Sequence, residues 1–256
     1  MTFAELPFEF VVAVSTLVGL CVGSFLNVVI YRTPEMMSLT KASRCPACDT
    51  RLTTADLVPV ASWLFLKGKC GHCKAQISAR YPIVELVTAV LWCACAMHWR
   101  DVESAVAWSI FCSALLALAM IDWDTTLLPD SLTLPLVWAG LVASTVGLTE
   151  ISTAEAIWGA AAGYGFLWLV STGFELATGK VGMGGGDLKL LAAIGAWLGP
   201  FACIWVVMLA SVLGALVGLF LKSKQLLREE KYVPFGPFLS GAAVLLMFTH
   251  KFWIDL

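Results

Sequence analysis

Charged residues are scarce in this 256-residue sequence: Asp, Glu, Lys and Arg together make up 13% of it, against roughly 25% in an ordinary soluble domain. With 59% hydrophobic residues, there is too little polar surface to cover a water-exposed globule, and a soluble domain is excluded. The basic residues that open a secretory signal are missing as well. Glu5 and Glu9 precede the first apolar block, which is too long for a signal-peptide core, so it is expected to be retained as a membrane span. A Walker loop, G-x-x-x-x-G-K-S/T, is absent, which removes the phosphate cradle of the common nucleotide hydrolases. A G-x-G-x-x-G segment following a strand is also absent, so any cofactor pocket is built differently from a Rossmann unit. The formal net charge of −2 says little about partners, because in a membrane protein the placement of charge matters more than its sum. No nucleic-acid partner is expected.

What the sequence does contain is a series of apolar blocks, at about 10–30, 81–97, 105–121, 132–148, 154–174, 188–198, 201–221 and 235–252. Most are long enough to cross a bilayer, which takes roughly 20 residues. The block at 188–198 is short and ends at Gly199-Pro200, so it reads as a short, broken or re-entrant helix. The expected fold is an all-α polytopic membrane protein of about eight transmembrane helices with a small zinc-binding insertion on the cytoplasmic side. Three parts follow: a first helix at 1–32, an insertion at 33–80, and a membrane-embedded core with seven further helices at 81–256. Of the 16 Lys and Arg residues, all but Arg100 and Lys251 fall on one side if the amino terminus is outside. The positive-inside rule then puts the insertion in the cytoplasm and both termini in the periplasm. Glycines and alanines in the later spans suit close helix packing in lipid.

The nine cysteines form no disulfide pattern. Cys21, Cys93, Cys95, Cys112 and Cys203 are scattered through apolar blocks, where cysteine packs as a small hydrophobe. Cys45-Pro-Ala-Cys48 and Cys70-Gly-His-Cys73 differ. They are two C-x2-C hooks, each with the spacing that lets two thiolates grip one tetrahedral ion. A polar insertion this short builds little apolar core, so a structural zinc held by Cys45, Cys48, Cys70 and Cys73 is expected to supply much of its folding energy. Cytoplasmic placement favours thiolates over disulfides. Redox chemistry is the alternative, but no thioredoxin-like pattern accompanies the hooks. His72 is read as a neighbour of the site and not a ligand.

Acids in the apolar part stand out against the low charge. One group is Asp122-Trp-Asp124, leading to Pro129-Asp130; another is Gly182-Met-Gly184-Gly-Gly186-Asp187-Leu-Lys189. The topology places both groups on the same side of the membrane, where two carboxyls can be brought together. Paired carboxyls in low-dielectric surroundings cannot easily both ionise and tend to share a proton. Such a pair suits peptide hydrolysis: one carboxylate takes a proton from water while its protonated partner binds the scissile carbonyl. Gly184 and Gly186 would let a substrate backbone approach without a side-chain clash. The same acids also fit helix capping or an ion-coupled carrier.

Taken in order, these motifs carry a resemblance that no one of them carries alone. Gly23-Ser24-Phe25-Leu26-Asn27 through Tyr31-Arg32, the two cysteine hooks, Arg80-Tyr81-Pro82 with Glu85, Asp122 to Pro129-Asp130, the glycine-rich Asp187 motif and Pro234-Phe235-Gly236-Pro237 together resemble the type IV prepilin peptidases. These are bifunctional leader peptidases and N-methyltransferases, and aspartic proteases of the GxGD type. The resemblance covers nearly the whole chain. It implies inner-membrane location, cleavage of a short basic leader from type IV prepilins or type II secretion pseudopilins at the cytoplasmic face, and methylation of the new amino terminus from S-adenosylmethionine. It assigns Asp187 and Asp122 as the catalytic pair, with Asp124 the competing assignment. Lys189 is expected to tune or position Asp187. Glu85 is expected to help shape the site, or else to be a buried partner of Arg80 or Lys189. The resemblance assigns no residues to S-adenosylmethionine and gives the cysteines a supporting role. A peptidase-only enzyme and an ion-coupled transporter are the alternative readings.

Overall fold

The computed structural model describes residues 7–180, 182–224 and 233–254. Among these every regular element is a helix, and two isolated antiparallel bridges are the only extended pairings. The helices are α1 (Phe8–Arg32), α2 (Ala61–Phe65), α3 (Arg80–His98), α4 (Val102–Thr125), α5 (Asp130–Thr145), α6 (Thr153–Thr178), α7 (Gly185–Leu198), α8 (Pro200–Ser223) and α9 (Gly236–Ile254). The eight long helices overlie the eight apolar blocks. Four of them, α1, α3, α4 and α8, are long and apolar enough to cross a membrane by length and composition alone. This is fewer than the eight spans expected from the blocks. For two of them the cause is length: α5 has 16 residues and α7 has 14, or about 24 and 21 Å of helix. The chain is nonetheless a multi-pass membrane protein. Of the basic residues that set its expected orientation, Arg228, Lys231 and the side chain of Lys251 lie outside the described residues.

The helices group into two compact units, 1–113 and 114–256, with α4 beginning in the first and ending in the second. In the first unit α1 packs along α3. Gly19 and Gly23 on α1 set the approach, because a Cβ at Gly19 would lie 2.8 Å from the Trp92 Cβ and one at Gly23 would lie 2.6 Å from the Glu85 Cα. This small-x-x-x-small spacing lets two backbones come together where lipid offers no hydrophobic drive to do so. The buried Asn27 is satisfied at the same crossing, donating from Nδ2 to the carbonyls of Tyr81 (3.1 Å) and Gly23 (3.3 Å). The Trp92 indole N–H donates to Ser113 Oγ at 2.9 Å, tying α3 to the middle of α4.

In the second unit the short α7 is the centre and not a weak span. Leu188 and every residue from Leu190 to Leu198 are buried, and α5, α6, α8 and α9 pack around it. A helix that is apolar all round is a core helix, and one shielded from lipid by its neighbours need not match the bilayer thickness. The α6–α7 crossing is a backbone contact, with Gly159 facing Gly195 and Gly163 facing the Leu191 carbonyl. The Trp197 indole N–H donates to the Leu136 carbonyl at 2.9 Å, fastening α7 to α5. The turn from α7 into α8 is made by Gly199, at φ +85°, followed by Pro200 at the first position of α8, the arrangement in which neither residue costs a helical hydrogen bond.

Candidate active site and cysteine cluster

Asp122 sits in the last turn of α4 and is 5% exposed. A carboxyl in such a position needs a partner, and it has one from far along the chain: Oδ2 accepts the Gly236 N–H at 2.9 Å. That N–H is the first of α9, so the acid neutralises one of the donors that a helix start leaves without an intrahelical partner. The next residue, Pro237, has no N–H to offer, and the following two donate back to the Phe235 carbonyl. A side chain at position 236 would destroy this contact, because an added Cβ would lie 2.5 Å from Asp122 Oδ2. Nothing in the Pro234-Phe235-Gly236-Pro237 motif itself marks this role for Gly236, which comes from an approach between residues 114 apart.

Asp187 sits in the first turn of α7. It lies in the same unit as Asp122, and each of the two acids stands at a helix end there. Asp187 Oδ1 is buried and accepts no hydrogen bond from any described residue, leaving it free for a ligand or a proton. Asp124 is exposed. Two residues along a helix turn the side chain by about 200°, which puts Asp124 on the opposite face of α4 from Asp122.

The supporting residues differ in part from expectation. Lys189 donates from Nζ to Asp130 Oδ1 at 2.6 Å; it joins the first turn of α7 to the first residue of α5 and is not paired with Asp187. Around Gly184 an added Cβ would meet nothing within 4 Å, so the backbone there is open to approach. Gly186 is different: its side-chain space is taken by Leu128, whose Cβ would be 2.7 Å from an added one. That glycine seats α7 on the loop before α5. Glu85 is buried on α3, in the first unit, and its Oε2 accepts the Val60 N–H at 2.7 Å. Its partners are therefore the backbone of the insertion and the Ser24 side chain on α1, in place of the Arg80 or Lys189 side chain anticipated.

The two cysteine hooks have one architecture repeated at an offset of 25 residues. The Cys45 N–H donates to the Thr50 carbonyl and the Asp49 N–H to the Cys45 carbonyl; the Cys70 N–H donates to the Ala75 carbonyl and the Lys74 N–H to the Cys70 carbonyl. Asp49 (φ 52°) and Lys74 (φ 61°) both adopt left-handed conformations to turn the chain after the second cysteine. Single antiparallel bridges, Arg44 with Arg51 and Lys69 with Gln76, close the two hooks. The four Sγ atoms lie within 4.8 Å of one another, with Cys45 and Cys73 at 3.9 Å. Zn–S bonds of about 2.3 Å in a tetrahedron require sulfur pairs about 3.8 Å apart, so the donor set fits one zinc ion. Thr50, through its side chain and backbone, holds the Cys48 thiol down at about 6. The Ala75 backbone also favours the Cys73 thiolate, yet burial and the three neighbouring sulfurs push that thiol up to about 11. Four thiolates at this spacing need a cation among them. Of the other cysteines, Cys95, Cys112 and Cys203 are buried, Cys93 is half-buried and Cys21 is exposed.

Residues 17–99 match the family model described as the bacterial peptidase A24 N-terminal domain, and residues 109–219 match that of the type IV leader peptidase family. A prepilin leader peptidase/N-methyltransferase of Burkholderia pseudomallei is 42% identical over 99% of this chain and 91% of its own length. One from Stutzerimonas stutzeri is 43% identical over 93% and 90%, and one from Pseudomonas aeruginosa is 40% identical over 93% and 90%. No solved structure matches the chain. With relatives this similar spanning both family models, the chain belongs to the prepilin leader peptidase/N-methyltransferase family.

Proposed function

We propose that this protein removes the leader peptide from type IV prepilins and related pseudopilins and methylates the amino terminus so exposed. The observation that carries the peptidase half is the pair formed by Asp122 and Asp187, one oxygen of Asp122 held by the Gly236 N–H and Oδ1 of Asp187 without a protein partner. One carboxylate takes a proton from a water molecule as that water attacks the scissile carbonyl. The protonated partner donates a hydrogen bond to the carbonyl oxygen, and a proton then passes to the leaving amine. Open backbone at Gly184 gives an extended peptide room beside Asp187. Asp124, on the other face of α4, takes no part, and Lys189 with Asp130 acts as a brace on α7.

The methyl group comes from S-adenosylmethionine as a second substrate. The freed amine attacks the methyl carbon, the sulfonium leaves as a neutral thioether, and the amine loses a proton. Hydrolysis must come first, because the amine does not exist before it. The insertion at 33–80, with one zinc on its four cysteines, is assigned to supporting this second activity. In the membrane we assign eight spans, a first helix at 1–32 and a core at 81–256, in the bacterial inner membrane with the acids facing the cytoplasm and both termini in the periplasm. The one-sided distribution of basic residues supports that orientation. The leader then stays in the cytoplasm while the apolar helix behind it stays in the bilayer.

The test is intact-mass analysis of a purified prepilin incubated with the enzyme, with and without S-adenosylmethionine. Loss of the leader in both reactions, plus one methyl group in the second, is expected. Cleavage without the methyl would reduce the protein to a peptidase; solute uptake into vesicles without any cleavage would make it a carrier. A further outcome concerns Gly236→Ala. The added methyl pushes on the Asp122 carboxyl, and displacing a catalytic group by on the order of 1 Å costs about 10²-fold in rate. Steady-state cleavage assays should therefore show a fall in kcat of that order with KM little changed.

A further inference from the structure

The insertion is polar in composition but presents an apolar edge. Its only helix among the described residues, α2, has Leu64 60% exposed and Phe65 86% exposed, and Leu57 and Val58 just before it are exposed too. The other side of α2 is committed: the Trp63 indole N–H donates to the Ile77 carbonyl at 3.1 Å, and the ring fills the space over Gly68, beside the second cysteine hook. An outward-facing Leu-Phe pair on a protein surface calls for a covering partner.

The depth at which α2 is held identifies that partner. Glu85 Oε2 accepts the N–H of Val60, the residue that begins α2, at 2.7 Å. Val60 itself is bent into φ 58°, ψ −49°, a conformation unfavourable for a β-branched residue that the hydrogen bond to Glu85 holds in place. Glu85 is not at the end of α3. It lies five residues inside a helix that starts at Arg80, about 7.5 Å farther along the axis. With 19 residues, α3 is about 28 Å long, close to the roughly 30 Å hydrocarbon thickness. A span of that length centred in the bilayer would put Arg80 at its boundary and Glu85 inside it, and the bond from Val60 to Glu85 would hold the start of α2 at that level. Lys67 and Lys69 follow directly, where their ammonium groups would reach anionic headgroups.

We propose that α2 is a lipid-inserted foot of the cysteine insertion, with Leu64 and Phe65 in contact with acyl chains at the α1–α3 boundary and Glu85 as the clamp that seats it. The insertion is thus docked on the bilayer and does not stand clear of it in water.

Photo-crosslinking of the full-length protein in nanodiscs of phosphatidylethanolamine and phosphatidylglycerol tests this directly. p-Benzoylphenylalanine replaces Phe65 in one sample and Thr54, an exposed residue of the same insertion, in another. Intact-mass analysis after irradiation should show phospholipid adducts several-fold more abundant at position 65 than at 54. Glu85→Ala should remove most of that excess, and Glu85→Gln, which keeps an acceptor oxygen, should restore it. Equal adduct at the two positions would overturn the proposal. So would cross-linking of position 65 to the protein itself, or to an added prepilin in place of lipid. The comparison of positions 65 and 54 stands on its own should Glu85→Ala fail to fold.

Discussion

Asparagine at position 122 or position 187 is expected to lower the rate of leader cleavage by about 10²–10⁴-fold, the range that general acid–base groups contribute. The substitution keeps the shape of the side chain and removes its ability to exchange a proton. Its structural consequences are small for identifiable reasons. In Asp122→Asn the amide oxygen still accepts the Gly236 N–H, so the start of α9 keeps its partner. In Asp187→Asn the buried Oδ1 has no protein hydrogen bond to lose. Asp124→Asn, on the exposed face of α4, should cleave at nearly the wild-type rate. Rates are read by mass spectrometry of prepilin over time. A peptide supplied with its leader already removed should still be methylated by Asp187→Asn, which separates a lost peptidase from a collapsed protein. Loss of cleavage in Asp124→Asn with activity kept in Asp122→Asn would transfer the pairing to Asp124.

The second large effect is expected at the cysteines. Purified protein should carry one zinc per chain, measured by elemental analysis, and Cys70→Ser should carry almost none. Structural zinc binding is worth about 10–16 kcal/mol in small zinc-folded peptides, as large as the whole net stability of about 5–15 kcal/mol of typical domains, so the insertion should not keep its fold without the ion. Cys45 and Cys70 are buried, and each also anchors its hook through its backbone N–H and carbonyl. Loss of zinc should expose 33–80 to limited proteolysis, cut methylation by at least about tenfold, and leave the helices of the second unit as folded as before. Methylation at the wild-type rate by protein stripped of zinc would remove the ion from this account.

Much of this was legible in the sequence because it depends on local composition. Apolar blocks mark the eight long helices, and the C-x2-C spacing marks the four cysteines whose sulfurs gather where they could hold one metal ion. Asp187 was legible because an acid behind a glycine run is rare in so apolar a chain. The rest needed tertiary contacts. Block length suggested that 188–198 was a short or broken span, since periodicity cannot tell a buried core helix from a lipid-facing one; burial on all sides of α7 supplies the answer. Lys189 was placed beside Asp187 by proximity in sequence, whereas its ion pair is with Asp130, 59 residues away. Gly19 and Gly23, Gly186 against Leu128, and Gly236 against Asp122 are each defined by what fills the space that a Cβ would occupy. Such a requirement belongs to the partner and leaves no mark on the residues beside the glycine.

The matched hooks have a consequence for descent. The backbone hydrogen bonds and the left-handed turn around Cys45 and Cys48 have their counterparts 25 residues on, around Cys70 and Cys73, as a short duplicated segment would produce. Neither copy is useful alone, because two thiolates supply half of a closed tetrahedral shell. A lineage that loses one hook keeps a remnant under no selection for its spacing, and the second should decay with it. Across relatives the four cysteines should therefore be inherited as a block, all present or all absent, with intermediates rare.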